Sequence, residues 1–461
     1  MHTSPSRRLR LAALALALSA AAGLAGAQAF TQPDTGFKGT VRAASPNVLP
    51  GSEVELNGTG FKPGQKVTLL RGESVLNASP FVANAEGRLK GTIRIPADAA
   101  AARHPIVVRA ANPDAAAVFD LKVSKEVPLS GADRFDVLAK PIARGLYQSA
   151  YSAKQNALYV TSAVGRPPVK QSELLKVDAD SLEVLARVTP AKVPGRDDEH
   201  LYAVYGVGMD DVNGRVWVTN TRDNTLAVYA AQDLKLVKQF EDGALPHGRD
   251  VIVDGERGRV YASSVEEPKI MVFDAKTLQA LPPIEIQSGV RGEKFAPMSL
   301  ALDEATGKLY TVSISTPEAV VIDGAGGKVE KVIALPNAAS ASGAAWDSDR
   351  KRVLVASQGS DNLLIVDPES GAAVHDVYVG NGPLNVVYDP RVKLAFVSNR
   401  GAGTVTVVDA DGRIVANLDG GSAPNHLHDE GRGHVYLVTK ARGAEDPRGD
   451  QVIRITAKPS N

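Results

Sequence analysis

No cysteine occurs anywhere in the 461 residues. That absence excludes disulfide staples, a lipid-modified cysteine behind an export signal, a CxxCH haem attachment and a cysteine-derived quinone. Charge of either sign is not in surplus, since 52 Lys and Arg stand against 52 Asp and Glu. A protein that holds nucleic acid chiefly by neutralising phosphates needs a concentrated basic surface, and this balance does not favour one. No Ser/His/Asp order, phosphate-cradling glycine loop or HExxH helix stands out, so no enzyme class is indicated by motif. Beyond Ala29 no apolar run reaches the length that spans a bilayer.

The amino terminus does carry a pattern. Arg7, Arg8 and Arg10 precede an apolar stretch from Leu11 to Ala22, and small residues follow at Ala25-Gly26-Ala27 and Ala27-Gln28-Ala29. The stretch is too short for a permanent span, and the layout is that of an export signal over residues 1–29, cleaved after Ala27 or Ala29. A periplasmic or secreted protein is expected, by ordinary secretion or, given Arg7-Arg8, by the twin-arginine route. Without residues 1–29 the chain holds 49 basic and 52 acidic residues, a net charge of −3.

Residues 30–123 have a texture of their own. Short alternating runs such as Val54-Glu55-Leu56, Val67-Thr68-Leu69, Ile93-Arg94-Ile95 and Val118-Phe119-Asp120-Leu121 are separated by Gly58-Thr59-Gly60-Phe61, Pro63-Gly64 and Ala111-Asn112-Pro113. Strands at that spacing predict a small β-sandwich, and the Gly-Thr-Gly-Phe-x-Pro-Gly stretch is similar to immunoglobulin-like modules of exported proteins. It serves either as a spacer or as a second contact surface. Residues 124–132, with Pro128 and Gly131, read as a linker.

From residue 133 to 461 a spacing recurs seven times, a short polar residue followed seven positions later by a large apolar one. The pairs are Ser152/Tyr159, Asp210/Trp217, Asp254/Tyr261, Asp303/Tyr310, Asp347/Leu354, Asp389/Phe396 and Asp429/Tyr436. Steps of 58, 44, 49, 44, 42 and 40 residues between the apolar members match a four-stranded propeller blade. The expected fold is all-β, a seven-bladed β-propeller behind the sandwich. A second Asp follows the apolar member by 13 residues in four blades, at Asp274, Asp323, Asp367 and Asp409. Acids repeated so evenly read as turn residues that bind backbone amides, since catalysis requires one asymmetric site. The last strands, near Gln451 to Ile455, lack an outer partner. Residues 135–142 have no blade of their own, so pairing the two closes the ring and hides an edge, and truncating either end should open it.

Tyr159-Val160-Thr161-Ser162, Trp217-Val218-Thr219-Asn220 and Phe396-Val397-Ser398-Asn399 each lead into a Val-rich strand that closes on Asp. From about Asp133 to Ile455 the chain resembles the YVTN-repeat, YncE-like periplasmic β-propellers. The resemblance implies a binding surface rather than a catalytic motif, so function has to be argued from the site.

Departures from the repeat mark that site. Insertions at 165–170 and 442–448, and long connections from Asp178 to Asp210 and from Asp274 to Asp303, all fall in loops that leave the same face of a propeller. That mouth should gather Arg144, Tyr147, His200, Tyr202, His247, Arg249, Arg291, Arg400, His426 and His428, with Tyr205, Phe295, Arg222 and Lys440 nearby. Cations interleaved with aromatics fit an anionic or aromatic ligand. A mixed-charge solvated rim is the alternative, because Asp197, Asp198, Glu199, Glu266 and Glu293 share the loops. His247, His426 and His428 are a weak candidate metal set, opposed by Arg249. The leading expectation is an exported, non-catalytic, monomeric propeller that needs no cofactor and binds a partner protein or small ligand. A metal-dependent lactonase-type hydrolase and a binder of single-stranded nucleic acid, held by stacking, remain the alternatives.

Overall fold

The computed structural model describes residues 36–459. The expected export signal at 1–29 lies outside the described residues. Two compact units divide at Lys125 and Glu126.

In the first unit, Thr40–Ala43, Glu53–Thr59 and Leu89–Arg94 form a three-stranded antiparallel sheet. Lys66–Arg71, Ser74–Val75, Phe81–Val82, Ala102–Ala111 and Ala115–Val123 form a second sheet. Burial alternates along these strands, as in Glu53–Thr59, and the inward residues Val54, Leu56, Ile93, Val67, Leu69, Ile106 and Val108 share one core. The period of two places one apolar face of each sheet against the other.

The second unit contains seven four-stranded antiparallel sheets among the described residues. Their first strands are Leu146–Ser152, Val204–Asp210, Gly248–Asp254, Pro297–Asp303, Ala341–Asp347, Pro383–Asp389 and Pro424–Asp429. Each first strand contacts the next, and the seventh contacts the first, so the first strands wall a central channel. The second strands, such as Ala157–Ala163 and Arg215–Asn220, are buried along nearly their whole length because sheets cover both faces. Outer strands such as Val184–Val188 alternate with solvent instead. This gradient explains the repeat: the residues at Tyr159, Trp217, Tyr261, Tyr310, Leu354, Phe396 and Tyr436 are all at most 3% exposed. Two of these tyrosines reach a turn of the neighbouring sheet, Tyr159 Oη donating to Ala231 O at 2.5 Å and Tyr436 Oη to Ala179 O at 3.2 Å.

Both repeated Asp sets cap turns. Asp347 Oδ1 accepts from Asp349 N and Arg350 N at 3.0 Å, Asp389 Oδ1 from Arg391 N at 2.8 Å, and Asp274 Oδ1 from Thr277 N at 2.8 Å. The fourth strand of the seventh sheet comes from the start of the unit, where Phe135–Pro141 pairs antiparallel with Gln451–Ala457. The stretch read as a linker is not free along its length. Ser130 and Asn417 exchange two backbone hydrogen bonds of 3.0 Å, and Asn417 Nδ2 donates to Val127 O at 2.8 Å.

Neighbouring first strands are tied by side chains near the middle of the channel. Val207 N donates to Gln148 Oε1 at 3.1 Å, Leu300 N to Asp250 Oδ2 at 2.9 Å, and Leu427 N to Asn385 Oδ1 at 2.8 Å. At the equivalent places Gly206 and Gly343 bring the strands closer still. A Cβ at Gly206 would lie 2.9 Å from Arg249 O, and one at Gly343 would lie 2.8 Å from Asn385 Cα. No helix of the described residues is long and apolar enough to cross a membrane.

Candidate functional site

The inserted loops meet on the face where the first strands begin. Leu201 N donates to Val169 O at 2.9 Å, which joins the 165–170 insertion to the connection before the second sheet. Ser422 Oγ donates to Asp446 Oδ1 at 2.9 Å, and Gly145 N and Ala441 N both donate to Asp450 Oδ1, at 3.0 and 3.1 Å. These bonds anchor the 442–448 insertion beside the opening of the first strand.

At their centre stands Tyr147. Arg249 donates to its Oη at 2.9 Å while the guanidinium carbon lies 5.3 Å from the ring centroid, and Lys440 Nζ lies 5.1 Å from the same ring. Tyr205 meets Tyr147 edge to face, with centroids 4.8 Å apart, and Arg222 lies 6.0 Å from the Tyr205 ring. Such cation–ring contacts are attractive through the ring quadrupole, but they do not neutralise charge. Arg400 joins the group, and Arg442 donates to the carbonyls of Arg400 and Gly401 at 2.9 and 3.1 Å. None of Arg222, Arg249, Arg400 or Lys440 makes a carboxylate ion pair among the described residues.

The cost of that crowding shows in titration. Loss of solvent, then the charges of Arg400 and Arg222, hold the Lys440 ammonium below its ordinary value, against the pull of Asp450. Arg400 keeps exposed surface, yet the partial loss of solvent, with Arg249 and Arg442 beside it, lowers its guanidinium too. At the rim, His247 is pushed down by burial and by Arg222 and Arg249, although its Nδ1 lies 3.4 Å from Glu266 Oε1. An arrangement in which cations depress one another gains by admitting an anion.

Several expected members belong elsewhere. His200 is a structural clamp and is corrected as a ligand group: its Nδ1 accepts from Val169 N at 2.7 Å and its Nε2 bonds Asp223 Oδ1 at 3.0 Å, with the ring fully buried. Phe295 is 1% exposed and packs in a core. Arg144 and Arg291 are exposed on their loops, and Tyr202 is half-buried near Asp223 and Asp242. His426 and His428 are not at the mouth. They line the channel, where His426 Nδ1 accepts from Ser149 N at 3.4 Å and His428 Nε2 from Tyr151 N at 3.0 Å. The register explains the shift: His426 faces Val438 as Asn385 faces Ser398, one step inside the strand end. His247 does not join them, and no group of three His, Asp or Glu among the described residues is placed to hold a metal ion.

At the opposite end of the channel is a feature that spacing did not reveal. The Asp429 and Asp389 carboxyls act on each other electrostatically, and Asp389 Oδ2 and Asp429 Oδ1 are buried without a hydrogen-bond partner among the described residues. Burial, with Asp389 second, pushes the Asp429 carboxyl up to about 8. Their place in the repeat made both look like ordinary turn acids, and only the approach of the sixth and seventh sheets distinguishes them.

No family model matches the chain. It is homologous to YncE proteins: the Salmonella typhi protein is 25% identical over 337 residues, covering 69% of this chain and 90% of that one. YncE of Escherichia coli K12 is 24% identical over 339 residues, with the same coverage. Among solved structures, a streptogramin B lyase superposes with a TM-score of 0.55 at 13% identity, over 71% of this chain and all of the other. That likeness concerns fold, and the chain is accordingly a β-propeller protein.

Proposed function

We propose that this propeller is an exported, non-catalytic binding protein whose ligand is an anion, a small molecule or an acidic group of a partner, seated on the cations around Tyr147. The observation that supports this most is the set of Arg222, Arg249, Arg400 and Lys440 around two tyrosines, with no carboxylate partner among the described residues. An isolated structural charge is normally paired, and four left unpaired in one opening are suited to a ligand that brings the negative charge. Single-stranded nucleic acid fits less well. Arg249 and Lys440 are both within cation–π reach of the Tyr147 ring, which limits that ring as a stacking surface. The lactonase-type alternative lacks a ligand set among the described residues.

Titration with inorganic tripolyphosphate at low ionic strength tests the reading. Arg400→Ala and Lys440→Ala should each weaken binding by roughly tenfold, the size expected for one charge-assisted contact. Melting temperature should stay nearly unchanged, and affinity should fall steeply with added salt. Unaltered affinity in the double variant would refute the placement. Decathymidylate bound far more tightly than tripolyphosphate, with little salt dependence, would favour stacking instead.

Export has its own test. Mass spectrometry of protein recovered outside the cytoplasm should find chains beginning at Gln28 or Phe30. Recovery only of cytoplasmic chains that retain residues 1–29 would contradict it.

A further inference from the structure

A ring of repeats needs similar side chains at equivalent positions, yet the third residue of the successive first strands is Gln148, Gly206, Asp250, Ser299, Gly343, Asn385 and His426. Where the channel passes the second and fifth sheets the equivalent residues are Gly206 and Gly343. Where it passes the sixth, seventh and first sheets, Asn385, His426, His428 and Ser149 line a cavity of about 460 Å³. Each retains unused hydrogen-bonding capacity. His426 accepts a backbone hydrogen at Nδ1 and His428 at Nε2, so each ring carries its own hydrogen on the other nitrogen, which has no partner among the described residues. Asn385 Oδ1 is taken by Leu427 N, which leaves the amide hydrogens. Ser149 is fully buried, lines the same cavity, and its Oγ has no partner among the described residues.

These four donors carry no charge, because burial keeps both imidazoles deprotonated. Asp250 shares the cavity, and its two oxygens accept from Val251 N and Leu300 N at 3.0 and 2.9 Å. The wall therefore offers neutral donors grouped together, with Asp250 already engaged, while Asp210, Asp211, Glu304, Asp429 and Glu430 also line the cavity and favour a neutral carbonyl over a carboxylate there. A buried hydroxyl without a partner costs stability, and is retained where something else satisfies it. We propose that this cavity is a second binding site, separate from the cationic mouth, for a small molecule whose carbonyl or carboxylate oxygens accept from His426, His428, Asn385 and Ser149.

The chain has only eight histidines, so isotope labelling of histidine alone yields few ring signals. Titration of the labelled protein with succinamide and, separately, succinate offers the same skeleton with neutral and charged oxygens. The His426 and His428 ring signals should shift saturably with at least one probe while those of His104 and His375 stay still. A response to both points to carbonyl recognition, and a response to succinate alone to a carboxylate. Asn385→Asp keeps the acceptor for Leu427 N, removes the donors and should abolish the succinamide shifts. Ser149→Ala should weaken them several-fold, and Arg400→Ala should leave them intact, which separates this site from the mouth. Silence of both rings toward both probes would overturn the proposal, as would shifts undiminished in both the Asn385→Asp and Ser149→Ala proteins.

Discussion

Lowering the pH from 6.5 to 4 should destabilise the propeller steeply, and a protein carrying His426→Asn and His428→Gln should lose most of that sensitivity. Both imidazoles accept backbone hydrogens from Leu146–Ser152, where the seventh sheet meets the first and the ring closes. A protonated ring has no lone pair with which to accept. Burial lowers the His428 imidazole from 6.5 to about 4, and burial also holds the His426 imidazole well below its ordinary value, with His428 and Arg249 adding to the effect. The unfolded chain takes up these protons below 6.5 while the folded ring resists. The stabilisation is therefore fully present above 6.5 and is lost as pH falls. One buried imidazole displaced that far contributes about 3 kcal/mol at neutral pH, using about 1.4 kcal/mol per pH unit. Asn385 shows that an amide carbonyl does the same work at the neighbouring junction, which is why Asn and Gln are the informative replacements. Chemical denaturation at a series of pH values reads the effect. Parallel profiles for the two proteins between pH 6.5 and 4 would show that these rings are not the titrating groups.

Asp429→Asn should stabilise the protein, and the gain should grow with pH. The Asp429 carboxyl is raised from 3.8 to about 8 by burial and by Asp389, so between those values the folded ring holds a proton that the unfolded chain has released. Stability falls with rising pH over that interval. Asparagine keeps a hydrogen donor toward Asp389 without the proton uptake. It should therefore be close to neutral near pH 4 and raise the melting temperature at pH 8 by about 5 °C or more, taking roughly 2 °C per kcal/mol for a domain of this size. With the histidines pulling the other way, these three groups together place the stability maximum near pH 6.5, and the Asp429→Asn protein should lack the decline above it. A loss of stability at pH 8 in that variant would mean the pair is ionised and held by another group.

How much of this was legible depends on whether the determinant is local. The repeated polar-to-apolar step is local: it runs from the last residue of an inner strand through one tight turn to the middle of the next strand, and every apolar member is buried between sheets. The convergence of Tyr147, Arg249 and Arg400 follows from the same period, because strand openings and second-to-third loops repeat on one face. The clamp at His200 is not legible, because its partners, Val169 and Asp223, come from separate loops whose meeting no spacing encodes. The shared orientation of His426 and His428 follows from the two-residue period of a strand. Their depth is not legible, because His426 is the third residue of Pro424–Asp429 in the register of Asn385, one step past the strand opening, and spacing alone does not say where that opening lies. The contact between Asp389 and Asp429 depends on how two sheets pack, and identical turn acids in other sheets gave no sign of it.

An anion seated among the cations around Tyr147 can be located directly. Crystals of the protein equilibrated with bromide, measured at the bromine absorption edge, would show where a simple anion settles. The strongest anomalous peak should lie between Arg249, Arg400 and Lys440 beside Tyr147 and be absent from the Arg400→Ala, Lys440→Ala protein. Strong peaks elsewhere with that opening vacant would contradict an anion site there.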